Sequence, residues 1–269
     1  MSSMTGETVL ETKSLGIQFG GLKAVNDVNI YINKGELVGL IGPNGAGKTT
    51  IFNLITGIYT PTSGSYSLMG KRMNGLKTHQ VVNAGIARTF QNIRLFKKMT
   101  VLDNVKVAFN KNMKANLLQS LFRTPYFWKE EEEITKKAMD LLKLFHLEGF
   151  ADQYAENLPY GKQRLLEIAR ALATDMKLLL LDEPAAGMNP VETAELKDSI
   201  KMLREKFGIP ILLIEHDMSL VMSVCERIYV LNFGEILAHG TPEEISTNKQ
   251  VIEAYLGSED EDEGGEQYA

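Results

Sequence analysis

The residues best placed to do chemistry fall in three groups. Gly42, Gly47, Lys48 and Thr49 follow the spacing G-x-x-x-x-G-K-T within Gly42-Pro-Asn-Gly-Ala-Gly-Lys-Thr49. Such a loop turns its backbone N–H groups onto a polyphosphate, its lysine neutralises the outer phosphates, and its threonine offers a hydroxyl to Mg²⁺. Asp182 and Glu183 come directly after Leu178-Leu-Leu-Leu181. Two acids at that point are either a solvated strand end or catalytic groups, and a phosphate loop in the same chain favours the second. His216 follows a second apolar run, Ile211–Ile214. A lone histidine there is either a satisfied core residue or a proton-handling group.

These residues need strands that end where the chemistry happens. Leu37, Val38, Leu40 and Ile41 are apolar without helical spacing, and the residues after Thr49 place Ile51, Leu54 and Ile55 on one helical face. The order is therefore strand, glycine loop, helix N-terminus. Lys177–Leu181 and Ile211–Ile214 read as central parallel strands buried on both faces, with the acids and the histidine at their carboxyl ends, where ligands bind in open α/β sheets. Asn189 as N-cap, Pro190, Glu192 at the capping-box position and Gly208 as stop delimit the helix between them. Ile228–Leu231 and Ile236–Ala238 around Asn-Phe-Gly-Glu read as a hairpin.

Upstream, Val9–Ile17 and Val25–Ile32 are β-rich segments joined by the turn Phe19-Gly20-Gly21-Leu22, and they predict an antiparallel sheet against the parallel core. Phe19 lies at the turn, so its ring either packs in the core or stacks on a ligand. Gly64–Gly70 reads as another short strand. Between Val101 and Leu158 the pattern becomes helical, with Ile134, Ala138, Leu141, Leu142 and Phe145 on one face, Glu130–Glu133 ahead of them and Lys136, Lys137 and Lys143 behind. Within it Leu117–Trp128 is rich in aromatics, as a partner surface or as sub-domain packing. From Ser258 onward the chain is acidic and glycine-containing, which predicts a solvated tail.

Bulk properties narrow the function. A chain of 269 residues can bury a full core, and a formal charge of −5 with 23% charged residues supplies no basic field for nucleic acid. The single cysteine, Cys225, excludes an internal disulfide and a multi-cysteine metal site, and its setting predicts packed helix. Met1–Thr8 has no apolar stretch, so no secretory signal is expected, and no run approaches the roughly 18–20 apolar residues of a membrane span. A cytoplasmic protein that reaches membranes through partners is the expectation.

Taken in order, the motifs resemble those of ABC-transporter ATPases over nearly the whole chain up to the acidic tail. Gly42–Thr49 is similar to the Walker A loop, Leu178–Asp182 to the Walker B strand, Glu183 to the carboxylate after it, Gln91 to the Q-loop, Ala186–Asn189 to the D-loop and His216 to the switch histidine. Leu158-Pro-Tyr-Gly-Lys-Gln163 aligns with the signature loop L-S-G-G-Q, with Pro159 for serine, Tyr160 for the first glycine and Lys162 for the glutamine; Asn189 stands where the D-loop usually has aspartate. The phrases L-D-E-P-A-A-G-M-N-P, I-L-L-I-E-H-D-M-S-L-V-M and A-H-G-T-P-E-E-I, with a helical insert after F-Q-N-I-R-L-F, resemble the LivG type, one of two ATPase subunits of branched-chain amino-acid importers.

The resemblance implies an α/β P-loop NTPase (RecA-like) core, an N-terminal antiparallel β-subdomain and an inserted ABC α-helical subdomain. One ATPase domain would span residues 1–257, with its core at 1–92 and 165–257, the helical subdomain at about 93–164 and the tail at 258–269. ATP would contact Phe19, Val25, Gly42, Asn44, Gly45, Ala46, Gly47, Lys48, Thr49, Thr50, Gln91 and His216. Mg²⁺ would be held by Thr49, Gln91 and, through water, Asp182. Catalysis would fall to Glu183, His216, Gln91 and Lys48. Pro159, Tyr160, Gly161, Lys162 and Asn189 would serve a nucleotide in the opposing subunit, either a LivF-like ATPase or a second copy arranged head to tail. Two membrane permease subunits and, indirectly, a substrate-binding protein complete the implied assembly, on the cytoplasmic face of the membrane. Other readings in the same architecture are an ATPase for lipopolysaccharide export or amide import, or a soluble nucleotide-dependent clamp. The last fits poorly with the modest insert and the lack of a basic stripe.

Overall fold

The computed structural model describes residues 7–109 and 125–255. The acidic tail, and the Leu117–Thr124 part of the aromatic stretch, lie outside the described residues. The chain packs as two compact units, the first made of residues up to Arg88, Lys177–Ala185 and residues from Ile200, the second of Thr89–Met176 and Ala186–Ser199.

The first unit holds two sheets. In the antiparallel one, β1 (Thr8–Phe19) pairs with β2 (Leu22–Val28), β3 (Tyr31–Asn33) and β5 (Ser63–Leu68), and β5 with β6 (Lys71–Arg72). The single strand expected over Val25–Ile32 is split into β2 and β3. The cause is Thr12, whose buried hydroxyl donates to the Val28 carbonyl (2.9 Å) and accepts from Ile30 N–H (2.7 Å), so a side chain interrupts the ladder at Asn29-Ile30. Burial alternates through the break, with Val28, Ile30 and Ile32 buried and Asn29 and Tyr31 exposed.

The second sheet runs β11-β10-β4-β9-β8-β7. Strands β4 (Leu37–Ile41), β8 (Leu178–Asp182), β9 (Ile211–Ile214), β7 (Ile86–Arg88) and β10 (Arg227–Asn232) are parallel, and β11 (Glu235–Gly240) closes the hairpin antiparallel to β10. Every residue of β4, β8 and β9 is buried, as the unbroken apolar runs required. Helix α1 (Lys48–Ile55) buries Ile51, Phe52, Leu54 and Ile55 in one cluster with Leu10 and Ile32 of the first sheet and Leu40, Leu180 and Ile214 of the second. Each such side chain contributes about 1.5–3 kcal/mol by leaving water. The glycine loop ahead of α1 is therefore anchored at both ends. Cys225 is buried, one residue beyond the short helix Met218–Val224.

The second unit is helical. After α2 (Thr78–Ala84) of the first unit, the α-helices among the described residues are, in chain order, α3 (Val101–Phe109), α4 (Pro125–Leu144), α5 (Tyr160–Leu172) and α6 (Pro190–Phe207), of which α6 begins in this unit and ends in the first. Ile134, Ala138 and Leu142 form the buried face of α4, as their spacing predicts. Tyr126 and Trp128 at its start are exposed. Segment 89–100 is pinned from two sides. Arg164 of α5 is fully buried, donates to the carbonyls of Phe90 (2.6 Å) and Gln91 (2.7 Å), and pairs with Glu167 at 2.8 Å. Asn104 of α3 accepts from Phe96 N–H at 3.0 Å and donates to the Thr100 carbonyl at 2.9 Å.

Candidate functional site

At the carboxyl ends of β4, β8 and β9 the first unit has a cleft of about 210 Å³ lined by Asn44, Gly45, Ala46, Gly47, Lys48, Thr49, Thr50, Glu183 and His216. The loop can wrap this space because its glycines take conformations closed to other residues. Gly47 has φ 104°, and a Cβ there would lie 2.8 Å from the Ala24 carbonyl oxygen. Gly42 has φ 151°, and a Cβ there would overlap the Leu231 carbonyl oxygen. Lys48 is the first residue of α1 and is buried, with its Nζ donating to the carbonyls of Gly42 (2.6 Å) and Pro43 (2.9 Å). Burial holds its amine below the usual lysine range, and the Glu183 carboxylate opposes that shift. A buried cation and a helix start in one cleft favour an anion there.

Across the cleft His216 Nε2 is 2.8 Å from Glu183 Oε1. Glu183 has φ 46°, a left-handed conformation unusual for a non-glycine residue, and its N–H donates to the Ile214 carbonyl at 2.9 Å. A strained acid beside a histidine, facing a phosphate loop, can hold and activate a water molecule. Asp182 has a partner that sequence reasoning missed. Its Oδ2 pairs with Arg88 at 2.5 Å, and Arg88 also donates to Asn53 Oδ1 of α1 at 2.8 Å, with its guanidinium over the Phe52 ring at 5.4 Å. No spacing signal links residues 88 and 182; only the pairing of β7 with β8 brings them together.

Phe19 closes β1 opposite Leu22, 44% exposed, with its ring edge-on to Tyr59 at 5.2 Å. It therefore packs on an aromatic neighbour and still presents much of its surface to solvent. Val25 is buried, next to the glycine loop, with its Cγ2 3.5 Å from where a Cβ on Gly47 would sit. Gln91, Pro159, Tyr160, Gly161, Lys162 and Asn189 belong to the second unit. Gln91 is exposed at its side chain. Pro159 is the N-cap of α5, and the Gly161 N–H behind it donates to Glu192 Oε1 at 3.0 Å. Glu192 Oε2 accepts from Asn189 N–H at 3.1 Å, while Asn189 Oδ1 accepts from Val191 and Glu192 N–H at 2.9 and 3.0 Å, the reciprocal cap expected of this helix start. Lys162 pairs with Glu195 at 2.9 Å.

Among the described residues no cluster of three or more His, Cys, Asp or Glu side chains could cage a metal ion. The Thr49 hydroxyl and the Asp182 carboxylate are instead hard oxygen donors of the kind Mg²⁺ takes when phosphate oxygens and water complete its shell. Thr49 lines the cleft and fits that ion directly, whereas Asp182, 4% exposed and with its Oδ2 on Arg88, does not line it and could reach the ion only through water.

Fold and cleft together define a P-loop nucleotide-binding protein with a parallel core sheet and a helical second unit. Residues 25–186 match the family described as ABC transporter, and residues 235–261 match the one described as Branched-chain amino acid ATP-binding cassette transporter. The chain belongs to the ABC transporter ATP-binding family. It is 49% identical over 249 residues to the high-affinity branched-chain amino acid transport ATP-binding protein BraF of Pseudomonas aeruginosa, covering 93% of this chain and 98% of that one. It is equally 49% identical over 251 residues to LivG of Escherichia coli, a protein of the same description, again over 93% and 98% of the two chains. The crystal structure of the ADP conformation of MJ1267, an ATP-binding cassette of an ABC transporter, superposes with a TM-score of 0.80 at 34% identity, over 93% of this chain and 99% of that one.

Proposed function

We propose that this chain is the ATP-hydrolysing motor subunit of an importer for branched-chain amino acids. The observation that carries the reading is the 2.8 Å contact between Glu183 and His216 over the phosphate loop. The relatives' transport of branched-chain amino acids and the match at residues 235–261 support the substrate class.

In this reading the loop N–H groups of Gly42–Thr50 and Lys48 hold the β- and γ-phosphates, Phe19 and Val25 receive the base and ribose side, and Glu183 accepts the proton of the attacking water. His216 holds that water and the γ-phosphate in line. Phosphoryl transfer to water depends on such positioning and charge neutralisation more than on covalent help. Mg²⁺, held by Thr49 and, through water, Asp182, would supply charge neutralisation at the phosphates. Residues 1–257 work as one ATPase domain with a core and a helical subdomain.

Pro159–Lys162 and Asn189 serve a nucleotide bound to an opposing subunit, a LivF-like ATPase or a second copy, so the active form is a head-to-tail dimer. Two membrane permeases at the cytoplasmic face take up its opening and closing, and a substrate-binding protein delivers the cargo to them. No helix among the described residues is long and apolar enough to cross a membrane, which suits a subunit bound to the membrane by partners.

Glu183→Gln tests the hydrolytic reading. It should abolish phosphate release while leaving ATP binding within about twofold of wild type, because the acid's proton acceptance is lost and its shape is kept. Undiminished hydrolysis would sink the assignment. Co-purification with the permeases and uptake of radiolabelled leucine by the reconstituted complex test the transport reading.

A further inference from the structure

Strands β8 and β9 run parallel and in register to their last residues, Asp182 opposite Ile214. One ladder bond continues past that level, from Glu183 N–H to the Ile214 carbonyl at 2.9 Å. Beyond it a side chain replaces the ladder. Glu215 is 4% exposed, and its Oε1 accepts from Ala185 N–H at 2.6 Å while its Oε2 accepts from His216 N–H at 3.1 Å. One buried acid therefore ties together the two loops that carry Glu183 and His216.

The tie acts where the backbone has reason to relax. Glu183 is held at φ 46°, a conformation that costs a non-glycine residue energy and persists only when its surroundings over-determine it. It is fixed on its N-terminal side by its own N–H, and on its C-terminal side by Pro184, whose ring sets its φ, and by the Ala185 bond to Glu215. The same carboxylate fixes the backbone of His216, whose ring meets Glu183 at 2.8 Å. An acid is a costly residue to bury, and burial, with the Glu183 carboxylate nearby, pushes the Glu215 carboxyl up; the backbone N–H groups of Ala185 and His216 oppose that push. An apolar residue would fill this position without that cost, but it would not join the loops.

We propose that Glu215 is a positioning residue for ATP hydrolysis, clamping the loop after β8 to the loop after β9 so that Glu183 and His216 stay in contact. This rests on the hydrolytic reading above. Glu215 touches neither substrate nor the reacting atoms, and it acts through the geometry of the pair.

Glu215→Gln tests the clamp, since an amide has one acceptor oxygen and must turn an NH₂ group toward another donor. In the full-length chain, turnover per nucleotide-binding site should fall roughly 10- to 100-fold, as small misplacements of reacting groups do, with affinity for a fluorescent ATP analogue within about twofold of wild type. A second readout is the His216 ring resonance, assigned by its loss in His216→Ala. Glu183→Gln should move that resonance in the wild-type background and no longer move it in the Glu215→Gln background. Wild-type turnover in Glu215→Gln, or an undiminished response of His216 to Glu183→Gln, overturns the proposal. If Glu215→Gln does not fold, Glu215→Asp, which keeps the charge on a shorter arm, takes the same two measurements. Should Glu183→Gln hydrolyse ATP normally, the hydrolytic reading itself falls; normal turnover in the Glu215 variants alone removes only the positioning role.

Discussion

Arg88 and Asp182 form a buried ion pair at the ends of adjacent strands β7 and β8, with each side chain only 6% exposed. The pair also ties Asp182 to α1, because Arg88 reaches Asn53 on that helix. Removing the cation leaves a carboxylate stranded out of water, which typically costs about 3–5 kcal/mol. Arg88→Ala should therefore lower unfolding free energy in urea by that amount, and Arg88→Lys by less. A loss below about 1 kcal/mol for Arg88→Ala would mean that water reaches the site and replaces the guanidinium.

Two glycines of the phosphate loop should respond differently to the same added methyl group. At Gly42 a Cβ would overlap the Leu231 carbonyl, so Gly42→Ala must displace the loop and should weaken nucleotide binding at least tenfold. Gly45 has φ 75° with open space around a Cβ, and Gly45→Ala should cost only the left-handed backbone, about 1–2 kcal/mol. Titration with a fluorescent ATP analogue beside thermal melts separates the two effects.

Lys48 predicts opposite pH trends for stability and binding. Its folded value is lowered by burial, while the unfolded chain keeps the ordinary 10.5. Between the lowered value and 10.5 the unfolded state binds more protons, so stability rises with pH across that window. Below the window the folded protein carries a desolvated charge at a cost. ATP needs the charged form, so its affinity should fall as pH rises through the same window. Urea midpoints and ATP affinities from neutral pH up to the ordinary lysine value of 10.5, for wild type and Lys48→Met, provide the check. Stability curves that run parallel in the two proteins would contradict the assignment.

Phe19 separates stacking on a base from packing in the core. With 44% exposure and one aromatic neighbour, Phe19→Ala should change stability by no more than about 1 kcal/mol. If adenine stacks on the ring, the same change should cost about 1–3 kcal/mol of ATP binding, roughly 5- to 150-fold, with GTP affected in parallel. A large drop in melting temperature with unchanged affinity would return Phe19 to a packing role.

What could be read from the amino-acid order is local. The glycine loop ahead of α1, the apolar runs β4, β8 and β9, and the Asn189–Glu192 cap each lie within a few residues of one another. Backbone geometry, burial on both faces and capping chemistry fix such features without knowledge of the rest of the fold. The same locality explains why the segment Val25–Ile32 is not the single strand its composition predicts: the break at Asn29-Ile30 is made by Thr12, on another strand. Arg88 with Asp182, Gly161 with Glu192, and Glu215 with Ala185 carry no spacing signal, since each pair joins residues about thirty or more positions apart. Their partners were chosen by strand order and helix packing. A buried charge must find its counter-charge or N–H donor in three dimensions, and only the folded chain decides which one is within reach.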